Sequence, residues 1–208
     1  MAGTTAFTIG ADVSCADGIC GKLNRLLIDP RAGTVPHLVV NDRRFQGRLV
    51  PVSLAGVDAT TGQIRLGCTI AEFEKLDPAS RTMLLEGSGA DPDVRDQDQV
   101  QLRSLASTYL ADPPSVTYDT LPSGEVAVRR GEHVHATDGA IGQIQGLVID
   151  SGSHQLTHVL LQEGHVLSRK IVAIPIGAVA GVNQEGIQLN ITRQQVKDLS
   201  PGWHRSPG

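Results

Sequence analysis

Short apolar runs bounded by turn residues recur along this chain in a fixed order. In the first half the pattern predicts strands over Phe7–Cys15, Leu23–Asp29, Val35–Val40, Leu49–Val52 and Ile64–Leu66. In the second half it predicts them over Ile144–Asp150, Leu156–Leu161, Ile171–Ile176 and Ile187–Leu189. The unbroken runs Val35–Val40 and Leu156–Leu161 suit strands covered on both faces. Asp17-Gly18 and Asp138-Gly139 are hairpin signals, because glycine takes the positive φ that such turns need. Pro51 and Pro175 confine their runs to an edge or a bulge, since proline gives the ladder no donor. Asp29 and Asp150 each close a strand beside turn residues, where an Asp side chain accepts backbone amides. Thr69-Ile70-Ala71-Glu72 and Thr192-Arg193-Gln194-Gln195 fit the capping box and predict a short helix ending each half. Asp77-Pro78 and Ser200-Pro201 stop those helices.

The two halves are one pattern written twice. Residues 10–40 and 131–161 align without a gap at an offset of 121, with 9 of 31 positions identical. The identities are Gly10/Gly131, Val13/Val134, Asp17/Asp138, Gly18/Gly139, Gly21/Gly142, Leu26/Leu147, Ile28/Ile149, Asp29/Asp150 and His37/His158. The register returns at an offset of 123, where Leu66, Leu76 and Pro78 match Leu189, Leu199 and Pro201. A unit this long is a whole small domain, since solenoid repeats run about 20–50 residues. The reading is mainly β: a first barrel-like domain over 1–79, a linker over 80–125, a second domain over 126–202 and a disordered tail over 203–208. The linker is acidic at Asp91, Asp93, Asp96 and Asp98, and its composition predicts flexibility with one short helix around 97–110.

This ordered set of Asp-Gly, Ile-Asp, His-led apolar strand and Pro-containing strand resembles the PRC-barrel domain. That family includes the cytoplasmic part of the photosynthetic reaction centre H subunit and the C-terminal part of the ribosome maturation factor RimM. The resemblance covers residues 7–78 and 128–201. It implies two small, strongly bent β-barrels, each with a short C-terminal helix, acting as a binding or assembly module. It carries over no catalytic residues. The chain lacks the transmembrane anchor of an H subunit and shows no N-terminal barrel of the maturation-factor kind, so neither specific role is expected to transfer.

Composition narrows the function classes. Lys and Arg number 18 against 22 Asp and Glu, with no basic run, so no footprint for a phosphate backbone exists. Only six residues are aromatic, too few for a stacking platform. No basic start or apolar segment marks a secretion signal, and the longest apolar stretch, residues 171–182, is short and broken by Pro175. The expectation is a cytoplasmic, non-catalytic adaptor without a cofactor, with a protein partner, a homodimer or a pairing of its own two barrels. A second expectation is a ribosome or RNA-metabolism accessory role exerted through a ribosomal protein.

The candidate chemistry is sparse. Cys15 and Cys20 oppose each other across the Asp17-Gly18 turn and are candidates for a redox pair or half a metal site, which a third expectation, a metal or redox sensor, would use. Packing is the simpler reading, because the second repeat has Ala136 and Ile141 there. His133 and His135 share a strand face and are weak metal candidates. His37 and His158 read as structural, hydrogen-bonded residues. The most divergent loops, residues 43–48 and 162–170, are the expected contact surfaces. Within them Arg43-Arg44-Phe45 is the leading partner patch, since Arg and aromatic residues dominate interface hot spots.

Overall fold

The computed structural model describes residues 3–44, 46–58, 60–84, 115–163, 170–183 and 186–199. The described chain is mainly β. The first half runs β1 (Thr4–Thr8), β2 (Asp12–Cys15), β3 (Gly18–Asp29), β4 (Thr34–Asp42), β5 (Gly47–Pro51), β6 (Ala55–Val57), β7 (Ile64–Leu66) and helix α1 (Ile70–Phe73). Next come β8 (Ser80–Leu84) and β9 (Ser115–Asp119). The second half runs β10 (Val126–Arg129), β11 (His133–Ala136), β12 (Gly139–Asp150), β13 (Leu156–Glu163), β14 (Lys170–Pro175), β15 (Val179–Asn183), β16 (Gly186–Leu189) and α2 (Arg193–Asp198). A single 3₁₀ turn follows β5 and another follows β14.

Two seven-stranded sheets result, with strand orders β5-β4-β3-β2-β7-β6 and β14-β13-β12-β11-β16-β15. The seventh strand of each comes from the other repeat. β1 lies antiparallel on β12, with Phe7 opposite Leu147, and β10 lies on β3, with Val128 opposite Leu26. Phe7 and Val128 are 121 residues apart, as are Leu26 and Leu147, so the two exchanges are images of one another. The element predicted over Phe7–Cys15 is therefore two strands. Gly10, at φ 93°, turns the chain between them, and Gly131 does the same at φ 86°. Repeat boundaries and sheet boundaries do not coincide.

A pseudo-two-fold axis relates the sheets. It passes through the bridge between Thr34 and Gln155, which are each other's counterparts. On either side Leu156 N donates to Gly33 O at 2.9 Å and Val35 N donates to His154 O at 3.1 Å. The buried side chains of both halves form one continuous core, from Phe7, Leu26 and Leu38 to Leu147, Val159 and Ile187. A domain of about 70 residues buries too little surface to be robust alone. Sharing a core and exchanging strands relieves that limit. Leu27, Val39 and Ala79 form a smaller cluster of their own, with Leu49, Leu121 and Ala127 packed against it.

Within residues 80–120, β8 and β9 form an antiparallel hairpin, with Ser80 opposite Asp119 and Leu84 opposite Ser115. These strands correct the expectation of an unstructured linker at its two ends. The short helix expected around residues 97–110 and the acidic run at 91–98 lie outside the described residues, as does the tail.

Candidate functional site

The residues shared by the repeats hold the backbone. Asp17 Oδ1 accepts the amide of Ile70, the first residue of α1, at 2.9 Å, and Asp138 Oδ1 accepts that of Arg193, the first of α2, at 2.8 Å. Each hairpin Asp thus tethers a helix more than fifty residues away, a role beyond the local turn the sequence suggests. Both capping boxes are formed, Thr69 with Glu72 and Thr192 with Gln195. Asp29 accepts the amides of Arg31 and Ala32, and Asp150 those of Gly152 and Ser153. The Ser153 amide and hydroxyl hold the Asp150 carboxyl below its ordinary value. Gly21 and Gly142 lie against the Asn41 and Gln162 carbonyls, leaving no space for a Cβ. Val13, Val134, Ile28 and Ile149 are buried. Pro51 and Pro175 close β5 and β14, the outermost strands of their sheets. The outer side of β5 is bridged by the segment after α1, with Leu49 N donating to Asp77 O at 2.8 Å and Ala79 N to Gly47 O at 2.9 Å.

His37 Nδ1 contacts the Glu125 carboxylate at 2.9 and 3.1 Å, which ties the start of β10 to the sheet it joins. His158 Nδ1 lies 3.1 Å from the Thr157 hydroxyl. The rings of His133 and His135 stand 6.2 Å apart, the first exposed and the second partly buried. Among the described residues no three His, Cys, Asp or Glu side chains are placed to hold a metal ion.

All three cysteines meet at one corner. Ala16 N donates to Cys68 O at 2.9 Å, which brings Cys68 beside the Cys15–Cys20 hairpin. Cys20 donates to the Val13 carbonyl at 3.4 Å. All three thiols are free. Burial, reinforced by hydrogen bonding to Cys20, pushes the Cys15 thiol up to about 12. Burial and the charge of Cys15 push Cys68 to about 11, and burial raises Cys20. The second repeat makes the same backbone contact, Thr137 N to Ile191 O at 3.0 Å, and fills the corner with Ala136, Ile141 and Ile191. Thiols so desolvated are poor nucleophiles. The part played by Cys68 escaped the sequence reading, because the offset shifts from 121 to 123 before it.

A groove and an adjoining hollow lie beside this corner. A groove of about 470 Å³ is lined by Ile19, Cys20, Ile70 and Phe73, with Arg43, Arg44 and Arg48 around them. A second hollow of about 460 Å³ lies on the other side of Ile19 and Arg43, reaching Lys22 and Asn24. Ile19 is 51% exposed at the junction, high for a large aliphatic side chain. Asp42 shapes the loop by accepting the amides of Arg44 and Gln46 at 2.7 and 2.9 Å. Arg43 donates to the Ile19 carbonyl at 3.3 Å and Arg48 to the Leu76 carbonyl at 3.1 Å, so both guanidinia are anchored. The structure thus adds Ile19, Arg48 and Phe73 to the predicted Arg43 and Arg44, while Phe45 lies outside the described residues. In the second repeat Ala140 stands at the place of Ile19, Gln143 at that of Lys22 and Gly164 at that of Arg43. The middle of the other predicted contact loop, residues 164–169, lies outside the described residues.

Among the described residues no helix is long and apolar enough to cross a membrane. No family model matches the chain, and no curated protein matches it.

Proposed function

We propose that this chain is a tandem PRC-type barrel protein that works without catalysis, as a rigid module for binding another protein. Each sheet, with its 3₁₀ turn and terminal helix, is read as one barrel of that kind. The observation that carries the reading is the groove around Ile19. The hairpin and the capped helix that frame it recur in the second repeat, where Ala140 stands in place of its exposed isoleucine. Scaffold kept in duplicate and a surface elaborated once is the pattern of a presentation module. Arginine beside exposed apolar surface is also the chemistry that dominates interface hot spots.

Cross-linking the tagged chain in its native extract tests the reading. A near-stoichiometric partner is expected from the unaltered protein and is lost from Ile19→Asp. Recovery of the same partner by a folded Ile19→Asp variant refutes a role for the groove. Recovery of the chain alone refutes the adaptor reading as a whole.

A further inference from the structure

We infer that the groove takes an acidic peptide segment, with a carboxylate on the Arg43, Arg44 and Arg48 guanidinia and an aliphatic side chain against Ile19. This rests on the protein-binding reading and names the chemistry of the partner. Three arginines, Arg43, Arg44 and Arg48, border the groove. Arg43 and Arg48 are each fixed by one backbone carbonyl, so side-chain entropy is already lost and the remaining donors are free for an acceptor. The Nε of Arg48 is shielded from solvent and has no acceptor, so its hydrogen bonding is incomplete in the unliganded chain. Of the two carboxylates at the groove, Asp42 is engaged by two backbone amides, and Glu74 lies on exposed surface at one side.

The floor decides between classes of acidic ligand. Ile19, Ile70, Phe73 and Cys20 form an apolar surface continuous with the hollow beyond Ile19. A nucleic acid would meet three arginines on a chain of net charge −4 that has only six aromatic residues. A peptide that alternates acidic and aliphatic residues satisfies the cations and the floor together.

The test is fluorescence anisotropy of the full chain with a fluorescein-tagged peptide alternating Glu and Leu. Its Gln–Leu counterpart and a single-stranded RNA oligonucleotide serve as comparison probes. The Glu–Leu peptide is expected to bind, to weaken as salt rises from about 0.05 to 0.3 M, and to weaken about tenfold with Arg48→Gln. Arg43→Gln with Arg44→Gln, exposed positions that leave the core untouched, is expected to do the same if Arg48→Gln disturbs folding. Equal binding of the Gln–Leu peptide, tighter binding of the RNA, or affinity indifferent to both sets of variants overturns the inference. The cross-linked partner separates this failure from that of the broader reading. A partner that still needs Ile19 while the acidic probe does not bind leaves the adaptor standing and removes only the acidic class.

Discussion

The two repeats share a backbone and differ in three neighbouring places. The first has a thiol corner, the exposed Ile19 and Arg25 beneath its borrowed strand; the second has Ala136, Ile141 and Ile191, Ala140 at the place of Ile19, and Gly146 beneath its own. The identical residues are the ones that set geometry: the Asp that tethers each helix, the glycines that turn the chain or admit a neighbouring strand, the Leu and Ile that the exchanged strand covers. Duplication kept the residues that set the fold, and the partner surface proposed above lies among those that differ. Function is therefore to be sought where the copies disagree.

The comparison breaks most directly at the exchanged strands. Phe7 is 1% exposed and is the anchor by which the first repeat completes the second. Phe7→Ala is expected to destabilise the chain by about 3–5 kcal/mol. The smaller Val128 performs the reciprocal task, and Val128→Ala is expected to cost about 1.5–3 kcal/mol. Urea unfolding, followed by far-ultraviolet circular dichroism and by size-exclusion elution, should give one coincident transition in each variant, because the core is continuous across the repeats. Two separated transitions would show that the repeats fold independently and that the exchange is incidental.

Gly146 sharpens the same point. The Phe7 carbonyl lies where its Cβ would be, whereas the matching position on β3 carries the buried Arg25. Gly146→Ala is expected to cost about 1–3 kcal/mol through the shift that β1 must make. If the variant unfolds at the same urea concentration as the parent, β1 does not sit so closely on β12.

Asp17 and Asp138 test the symmetry itself. Each accepts one amide at the start of a terminal helix, so Asp17→Ala and Asp138→Ala should each cost about 0.5–2 kcal/mol and agree with each other. A marked inequality would mean that one helix is held mainly by other contacts, Phe73 in α1 or Val196 in α2.

Most strand positions, the hairpins, the capping boxes and the edge-or-bulge placement of Pro51 and Pro175 were legible because they depend on local pattern and turn chemistry. The exchange was not. Leu26 and Leu147 are the same residue, as are Ile28 and Ile149, so docking β1 on either sheet buries equivalent surface. Only Gly146, standing where the first repeat has Arg25, marked one sheet for a closer approach, and that difference has meaning only when the strand above it is known. The hairpin in the linker has no repeat to announce it. The groove was half legible: Arg43 and Arg44 stood out by type, but Ile19 reads as a turn residue until its exposure is seen.

A backbone angle separates the repeats by a smaller amount. Gly33 turns at φ 67°, and at its counterpart His154 adopts φ 57°, the one non-glycine residue in the left-handed region among those described. The Cβ crowding there favours His154→Gly by about 0.5–1 kcal/mol, less the entropy glycine gains on unfolding. Gly33→Ala should cost a similar amount. Thermal melts of the two variants should move in opposite directions, and a shift in the same direction would place the difference in contacts of the His154 side chain.

The thiol corner should show almost no effect at all, and that is its test. With Cys15 near 12 and Cys68 near 11, the thiolate fractions at pH 8 are about one in ten thousand and one in a thousand. Both pKa values are raised above the ordinary 9.0, so above that pH the unfolded chain loses protons that the folded chain keeps, and stability falls as pH rises from about 9 towards the folded values. Iodoacetamide at pH 8 is therefore expected to leave the native chain unmodified by mass, and to add three adducts in urea. Prompt modification of one cysteine in the native state would mark it as solvent-reachable and reactive, and would move the corner from packing to chemistry. Protection of all three would confine the difference between the repeats, at this corner, to the choice of sulfur or methyl groups in filling the same space.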